Sequence, residues 1–340
     1  MTLTLKIYME STLPVVEETL QTDLNSLIPA DYPELREMLS YHMGWVGEGA
    51  GPKARGKRLR PLLVLLSTQA CGGAPERALK AASAVCLLHN FSLIHDDIED
   101  NSSTRRGRKT VWAKWGMPQA LNAGDLMFSM PYACIANLTA VGHSAERALA
   151  AQAILQRTIQ ELVQGQYLDM AFETRTDVST DDYWRMINGK TAALLSCCCE
   201  LGALLADADD NKQAALARFG RAMGLAFQVV DDWLGIWGDP AVTGKGVGDD
   251  LTSRKKTIPI LYGLEHSPKF TQRWEAGFGT AEVPQLARLL IDCGAQAHTE
   301  ALSQQLTTEA ISALEVAFGS DNEYAQVLRE LALSMTKRDN

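Results

Sequence analysis

The chain has 340 residues, 46% hydrophobic and 21% charged, with 41 acidic against 32 basic side chains and a net charge of −9 at pH 7. An acidic total with only local basic clusters argues against a nucleic-acid surface, which raises the pI of a domain. Its seven cysteines form no C-x-x-C pair, and no signal, lipidation motif or apolar run of about 18 residues appears, so a reducing, cytoplasmic setting without stable membrane insertion is expected.

In chain order, TLKIYMESTLPVVEETL reads as an amphipathic packing helix, and GPKARGKRLRP follows with Lys53, Arg55, Lys57, Arg58 and Arg60. The stretch SAVCLLHNFSLIHDDIED has Val85, Leu88, Ser92, Asp96 and Asp100 at helical spacing, which puts Asp96 and Asp100 on one face, one turn apart. Arg105, Arg106, Arg108 and Lys109 come just after these acids. An apolar segment at 121–138, with Met127, Phe128, Met130 and Tyr132, offers a surface for a second copy. Lys190 lies in NGKTA, ahead of TAALLSCCCELGALLA, whose Cys197, Cys198 and Cys199 read as small buried apolar residues. A second acidic pair, Asp231 and Asp232, is set in FGRAMGLAFQVVDDWLGIWGD, where Phe219, Met223, Phe227, Val230 and Leu234 supply the apolar stripe; Lys245, Arg254, Lys255 and Lys256 follow. Helical patterns rich in Ala and Leu run throughout, and no linker or repeat splits the chain, so one domain over 1–340 is expected. Breaks are expected at 50–56, 71–76, 139–146, 206–211 and 238–250, the last a glycine-rich stretch suited to a lid.

Carboxylates set into hydrophobic helices are costly to leave unpaired, and a divalent cation is the common remedy. Hard oxygen donors completed by water and phosphate suit magnesium. Basic side chains close behind each acid cluster then point to a substrate carrying two phosphates.

The ordered motifs GKRLRP (56–61), LLHNFSLIHDDIEDNSSTRRG (87–107), NAGDLM (122–127), GQYLDM (165–170), NGKTAAL (188–194), GLAFQVVDD (224–232) and TGKGVGDDLTSRKKT (243–257) resemble the trans-isoprenyl diphosphate synthases, the polyprenyl synthetase family. The resemblance implies an all-α fold, a bundle of antiparallel helices around a central catalytic cavity. It also implies a homodimer, three Mg²⁺ per active site, and condensation of isopentenyl diphosphate with an allylic diphosphate. Asp96, Asp97 and Asp100 with Asp231 and Asp232 would hold the magnesium. Arg105, Lys190, Lys245 and Lys255 would take the allylic diphosphate, while Lys57, Arg60, His89 and Arg106 would take the diphosphate of isopentenyl diphosphate. Thr191 and Gln228 would lie beside the forming cation; His95 matches no ligand role.

The second acidic motif departs from the family pattern, with Gly235 at the place of the third aspartate of DDxxD. Phe91 and Ser92, five and four residues before Asp96, point towards the growing chain, and this pairing resembles members that stop at twenty carbons; two aromatics there would resemble a fifteen-carbon enzyme. A class I terpene cyclase would need no second diphosphate site, and a longer-chain synthase would differ in cavity depth. A non-catalytic partner subunit would lose acids from the first cluster, which are intact.

Overall fold

The computed structural model describes residues 3–239 and 248–336, and the fold is all-α apart from one small hairpin. The chain forms two compact units. One comprises residues through Leu155 with Cys198–Gln213 and Asn322–Leu328; the other comprises Gln156–Cys197, Ala214–Asp321 and the segment from Arg329.

In the first unit, α1 (Leu5–Leu27) starts at Thr4, whose hydroxyl accepts from the Ile7 N–H at 3.4 Å, and it buries Tyr8, Val16, Leu20 and Leu24. Then follow α2 (Pro33–His42), α3 (Pro52–Arg55), α4 (Leu59–Ala70), α5 (Leu79–Glu99), α6 (Val111–Trp115) and α7 (Met117–Ala136). The expected break at 50–56 thus contains a one-turn helix. Helix α5 is apolar on nearly every side, with Ala81 through Leu88 all buried, which makes it the central helix of the unit. It packs against α4 and α7. Met127 and Met130 of α7 are 0% and 1% exposed, so they belong to this core and not, as expected, to a surface for a second copy.

Helix α8 (Ala145–Thr174) leads to α9 (Thr180–Ile187), which opens on a reciprocal cap between Ser179 and Asp182. A π-helical turn, Asn188–Ala192, joins α9 to α10 (Ala193–Leu205), where Cys197, Cys198 and Cys199 are buried as expected. Then come α11 (Asp210–Trp237), α12 (Asp249–Thr252), α13 (Ile258–His266), α14 (Pro268–Ala276), α15 (Val283–Asp292), α16 (Ala295–Phe318) and α17 (Glu323–Thr336). The apolar stripe of α11 differs from the expected one. Phe227 is 37% exposed and Leu234 half-buried, and the buried series runs through Phe219, Met223, Ala226, Val230 and Trp233. Among the described residues no helix is long and apolar enough to cross a membrane.

Candidate active site

The first acidic cluster falls in the last turn of α5, where the backbone dipole is negative and carboxylates are disfavoured by about 0.3–1 kcal/mol each, and the second lies five and six residues before the end of α11. Cations are needed to offset that arrangement. Helix α5 ends in a Schellman motif: Asn101 takes φ 51°, its N–H donates to Ile98 O at 3.2 Å, and Ser102 N–H donates to Asp97 O at 2.9 Å. The chain then turns into a hairpin of β1 (Thr104–Arg105) and β2 (Arg108–Lys109), whose two loop residues, Arg106 and Gly107, both have positive φ (52° and 74°). That is the signature of a type I′ turn, and it throws consecutive arginines to different sides. Arg108 anchors the hairpin by stacking 3.9 Å over the Tyr41 ring and donating to the carbonyls of Tyr41, Val46 and Glu48.

Arg105 Nε donates to Asp97 Oδ1 at 2.8 Å. Asp97 is buried, and burial raises its pKa, with Arg105 opposing the shift. Its second oxygen, Oδ2, is buried with no hydrogen-bond partner among the described residues. Asp96 is half-buried and Asp100 exposed.

The opposite charge gathers around a cavity of about 100 Å³ lined by Arg55, Lys57, Arg58, Arg60, His89 and Arg106. Arg58 is already committed, to Glu17 at 2.7 Å and to the Met43 carbonyl at 2.9 Å. The Arg106 guanidinium lies flat on Gly56, where a Cβ would stand 2.8 Å from its Cζ, and donates to Ala54 O at 2.9 Å. Arg60 Nε is buried without a partner among the described residues. Burial, with Arg58 and Arg105 nearby, lowers the pKa of Arg106, and burial with Arg60 and Arg106 nearby holds His89 well below the usual histidine range. His89 is therefore a neutral hydrogen-bonding group among cations. No side chain caps the N-terminus of α4, so its positive end adds to the field. Crowded cations with an unmet donor fit an anion.

In the second unit, Asp169 of α8 gathers two of the expected lysines: Lys190 pairs with its Oδ2, and Lys255 Nζ lies 3.9 Å from Oδ1. Burial opposes ionisation of Asp169, but Lys255 and Lys190 outweigh it and hold its pKa below the usual range. Lys190 sits on the π-helical turn, a deformation common at functional sites. The Thr191 hydroxyl donates to Gln228 Oε1 at 2.8 Å, and Gln228 Nε2 donates to Asp232 Oδ1 at 3.0 Å. Asp232 Oδ2 accepts from the Tyr183 hydroxyl at 2.6 Å and from the Ile258 N–H at 3.2 Å. Asp232 is 2% exposed and Asp231 half-buried, as expected of neighbours about 100° apart on a helix. Lys245 lies outside the described residues.

The donor set fits magnesium. It consists of hard carboxylate oxygens near the carboxyl ends of two helices, and Asp97 Oδ2 has an unmet need. Among the described residues no three acidic, histidine or cysteine side chains converge to enclose an ion, which suits a cation that keeps water and shares the oxygens of a phosphate.

Two further residues belong to the site. Asp169 stands alone as an acid in GQYLDM, and its partners come from two distant segments. Phe128, expected on a surface for a second copy, has its ring centroid 4.7 Å from that of Phe91 and 5.8 Å from that of Tyr132. His95, given no ligand role, packs 4.9 Å from Phe91 and fills the space beside Gly124.

The family described as Polyprenyl synthetase matches residues 50–288. The chain is 43% identical over 296 residues, 83% of its length and 81% of the relative's, to (2E,6E)-farnesyl diphosphate synthase of Mycobacterium tuberculosis. It is 46% identical over 234 residues, 68% of its length and 65% of the relative's, to geranylgeranyl diphosphate synthase of the same organism. The crystal structure of geranylgeranyl pyrophosphate synthetase from Pyrococcus horikoshii superposes with a TM-score of 0.87 at 31% identity, with 98% of each chain covered. This chain belongs to the polyprenyl synthetase family of prenyltransferases.

Proposed function

We propose that this enzyme condenses isopentenyl diphosphate head to tail (1′-4) with allylic diphosphates, in a magnesium-dependent reaction that yields a short all-trans prenyl diphosphate, geranylgeranyl diphosphate. The observation that carries the reading is the cationic cavity of Lys57, Arg60, His89 and Arg106, an anion site additional to the acidic clusters. A cyclase, which handles one diphosphate, has no use for it.

In this reading Asp96, Asp97 and Asp100, with Asp231, hold the magnesium ions. Asp232, expected beside Asp231 as a ligand, also accepts from Tyr183, Gln228 and Ile258 among the described residues, which fixes the Gln228 amide and steadies Asp231. Magnesium, when bound, supplies charge neutralisation to the leaving diphosphate. Arg105, Lys190 and Lys255, with Lys245, bind the same group, and Asp169 keeps the two described lysines in place. Their positive charge favours ionisation of the carbon–oxygen bond over recombination. The hydrogen bond from Thr191 fixes the Gln228 amide, whose oxygen dipole is oriented before the allylic cation forms. The double bond of isopentenyl diphosphate attacks that cation, and the released diphosphate takes the proton. The same reading includes a homodimer, for which Leu121, 41% exposed on α7, is available where Met127 and Met130 are not.

A fifteen-carbon product is the second reading, favoured by Phe128, which sets a second aromatic ring against Phe91. The assay that separates the readings uses purified protein, Mg²⁺, labelled isopentenyl diphosphate and, separately, dimethylallyl, geranyl or farnesyl diphosphate, with sizing of the dephosphorylated alcohols. A twenty-carbon alcohol is expected. A fifteen-carbon alcohol would establish the second reading, and a cyclic hydrocarbon made without isopentenyl diphosphate would overturn both. Phe91→Ala and Phe128→Ala are each expected to lengthen the product by at least one isoprene unit, and an unchanged alcohol from both variants would remove the aromatic pair as the floor.

A further inference from the structure

The motif Asp231-Asp232-Trp233-Leu234-Gly235 has no side chain where the family pattern places its third aspartate. We propose that Asp250 supplies the missing carboxylate from a separate segment, and that Gly235 is the seat that admits it. A Cβ on Gly235 would stand 2.2 Å from Asp250 Oδ2, 2.5 Å from Cγ and 2.9 Å from Oδ1. The whole carboxylate group therefore occupies the room that a residue-235 side chain would need.

The placement is built in. Asp250 is 9% exposed, in the single turn of α12, and its carbonyl accepts from the Lys255 N–H at 2.9 Å. The next residue, Leu251, is fully buried in the cluster that also contains Ile236, the neighbour of Gly235. Core packing thus holds both halves of the pair, one from α11 and one from α12. Electrostatically Asp250 belongs with the acids of the second unit: burial would depress Lys255, but Asp169, Asp232, Asp250 and Asp231 together hold its pKa above the usual lysine value. Seated on Gly235 and sharing the field at Lys255 with Asp231 and Asp232, Asp250 acts with Asp231, as a ligand or through a bound water.

This inference rests on the magnesium reading above. Its test is binding, on the full chain: titration of Mn²⁺ in the presence of inorganic diphosphate, read from the electron paramagnetic resonance of the free ion against the same mixture without protein. Asp250→Asn keeps the shape of the side chain, and Gly235→Ala evicts the carboxylate without touching Asp250. Each is expected to weaken diphosphate-dependent metal binding by about ten- to a hundredfold, the usual effect of removing a partner close to a metal ligand. The exchange variant Gly235→Asp with Asp250→Gly, which returns the carboxylate to α11, is expected to regain affinity over Asp250→Asn. If Asp231→Asn weakens binding while Asp250→Asn and Gly235→Ala leave it as in the wild type, the inference is wrong and the magnesium reading stands. If the wild type shows no diphosphate-dependent binding, both fall.

Discussion

Asp96→Asn is expected to lower turnover by about 10²–10³-fold or more, the range found when one preorganised electrostatic group is removed from an active site, and to leave the fold intact or slightly steadier. The two halves of this expectation have opposite signs for a physical reason. Asp96 lies in the last turn of α5 with Asp97 beside it, Glu99 at the last position and Asp100 at the cap, four acids at the negative end of one helix. The helix dipole disfavours each carboxylate there by about 0.3–1 kcal/mol, so removing the Asp96 charge is expected to relieve about that much. The backbone bond from Asp100 N–H to Asp96 O at 2.9 Å does not involve the side chain and survives the change. In the proposed reaction, magnesium and substrate need that charge, and an amide in its place is expected not to substitute for it. Steady-state kinetics and thermal unfolding, run on one preparation, check both halves. Wild-type turnover would sink the ligand assignment, and a large fall in Tm would show that Asp96 is structural. A parallel Asp97→Asn variant is expected to differ in stability, because it weakens the buried pair with Arg105.

The acidic helices, the basic groups behind them and the helical class were legible because each leaves a local trace: charge in an apolar run, or apolar residues at 3.6 spacing. What was missed depends on contacts between distant segments. Asp169 acquires its role only when Lys190 and Lys255 reach it. The meaning of Gly235 appears only with Asp250 beside it. The run TRRGRK gives no alternation of apolar and polar residues, so its hairpin is carried by backbone angles at Arg106 and Gly107 alone. Adjacent residues on a helix point about 100° apart, so Asp231 and Asp232 were bound to meet different surroundings, one half-buried and one deep in the core. On 121–138, Met127 and Met130 turn into the core for a related reason: α7 is apolar on more than one side, and periodicity cannot say which side the chain keeps for itself. The stripe on α11 erred at Phe227 because Ala226, small and inconspicuous, takes the buried position.

Gly165→Ala is the second large effect expected, and it tests how the second unit holds its lysine. A Cβ at residue 165 would stand 2.1 Å from Lys190 N, 2.7 Å from Gly189 C and 2.8 Å from Met186 O, all backbone atoms that no rotamer change can move aside. Across the same contact, a Cβ on Gly189 would stand 2.4 Å from Glu161 O. Two glycines thus let α8 lie directly on the π-helical turn, and Arg221 reinforces the contact by donating to Asn188 Oδ1 at 2.7 Å and Glu161 Oε2 at 3.1 Å. Because Asp169 lies one turn further along α8, this seam sets the distance between Asp169 and Lys190 and the direction of Thr191. Forcing it open is expected to cost about 1–3 kcal/mol or more, seen as a lower Tm. A displacement of about 1 Å at a positioned group can cost 10²-fold in rate, so kcat/KM for the allylic substrate should fall by roughly that factor in the fraction that remains folded. Gln164→Ala, one position away on the exposed side, is the control and should change neither quantity. Wild-type melting and kinetics in Gly165→Ala would mean that the turn holds Lys190 without help from α8, and the role given to the glycine pair would be lost.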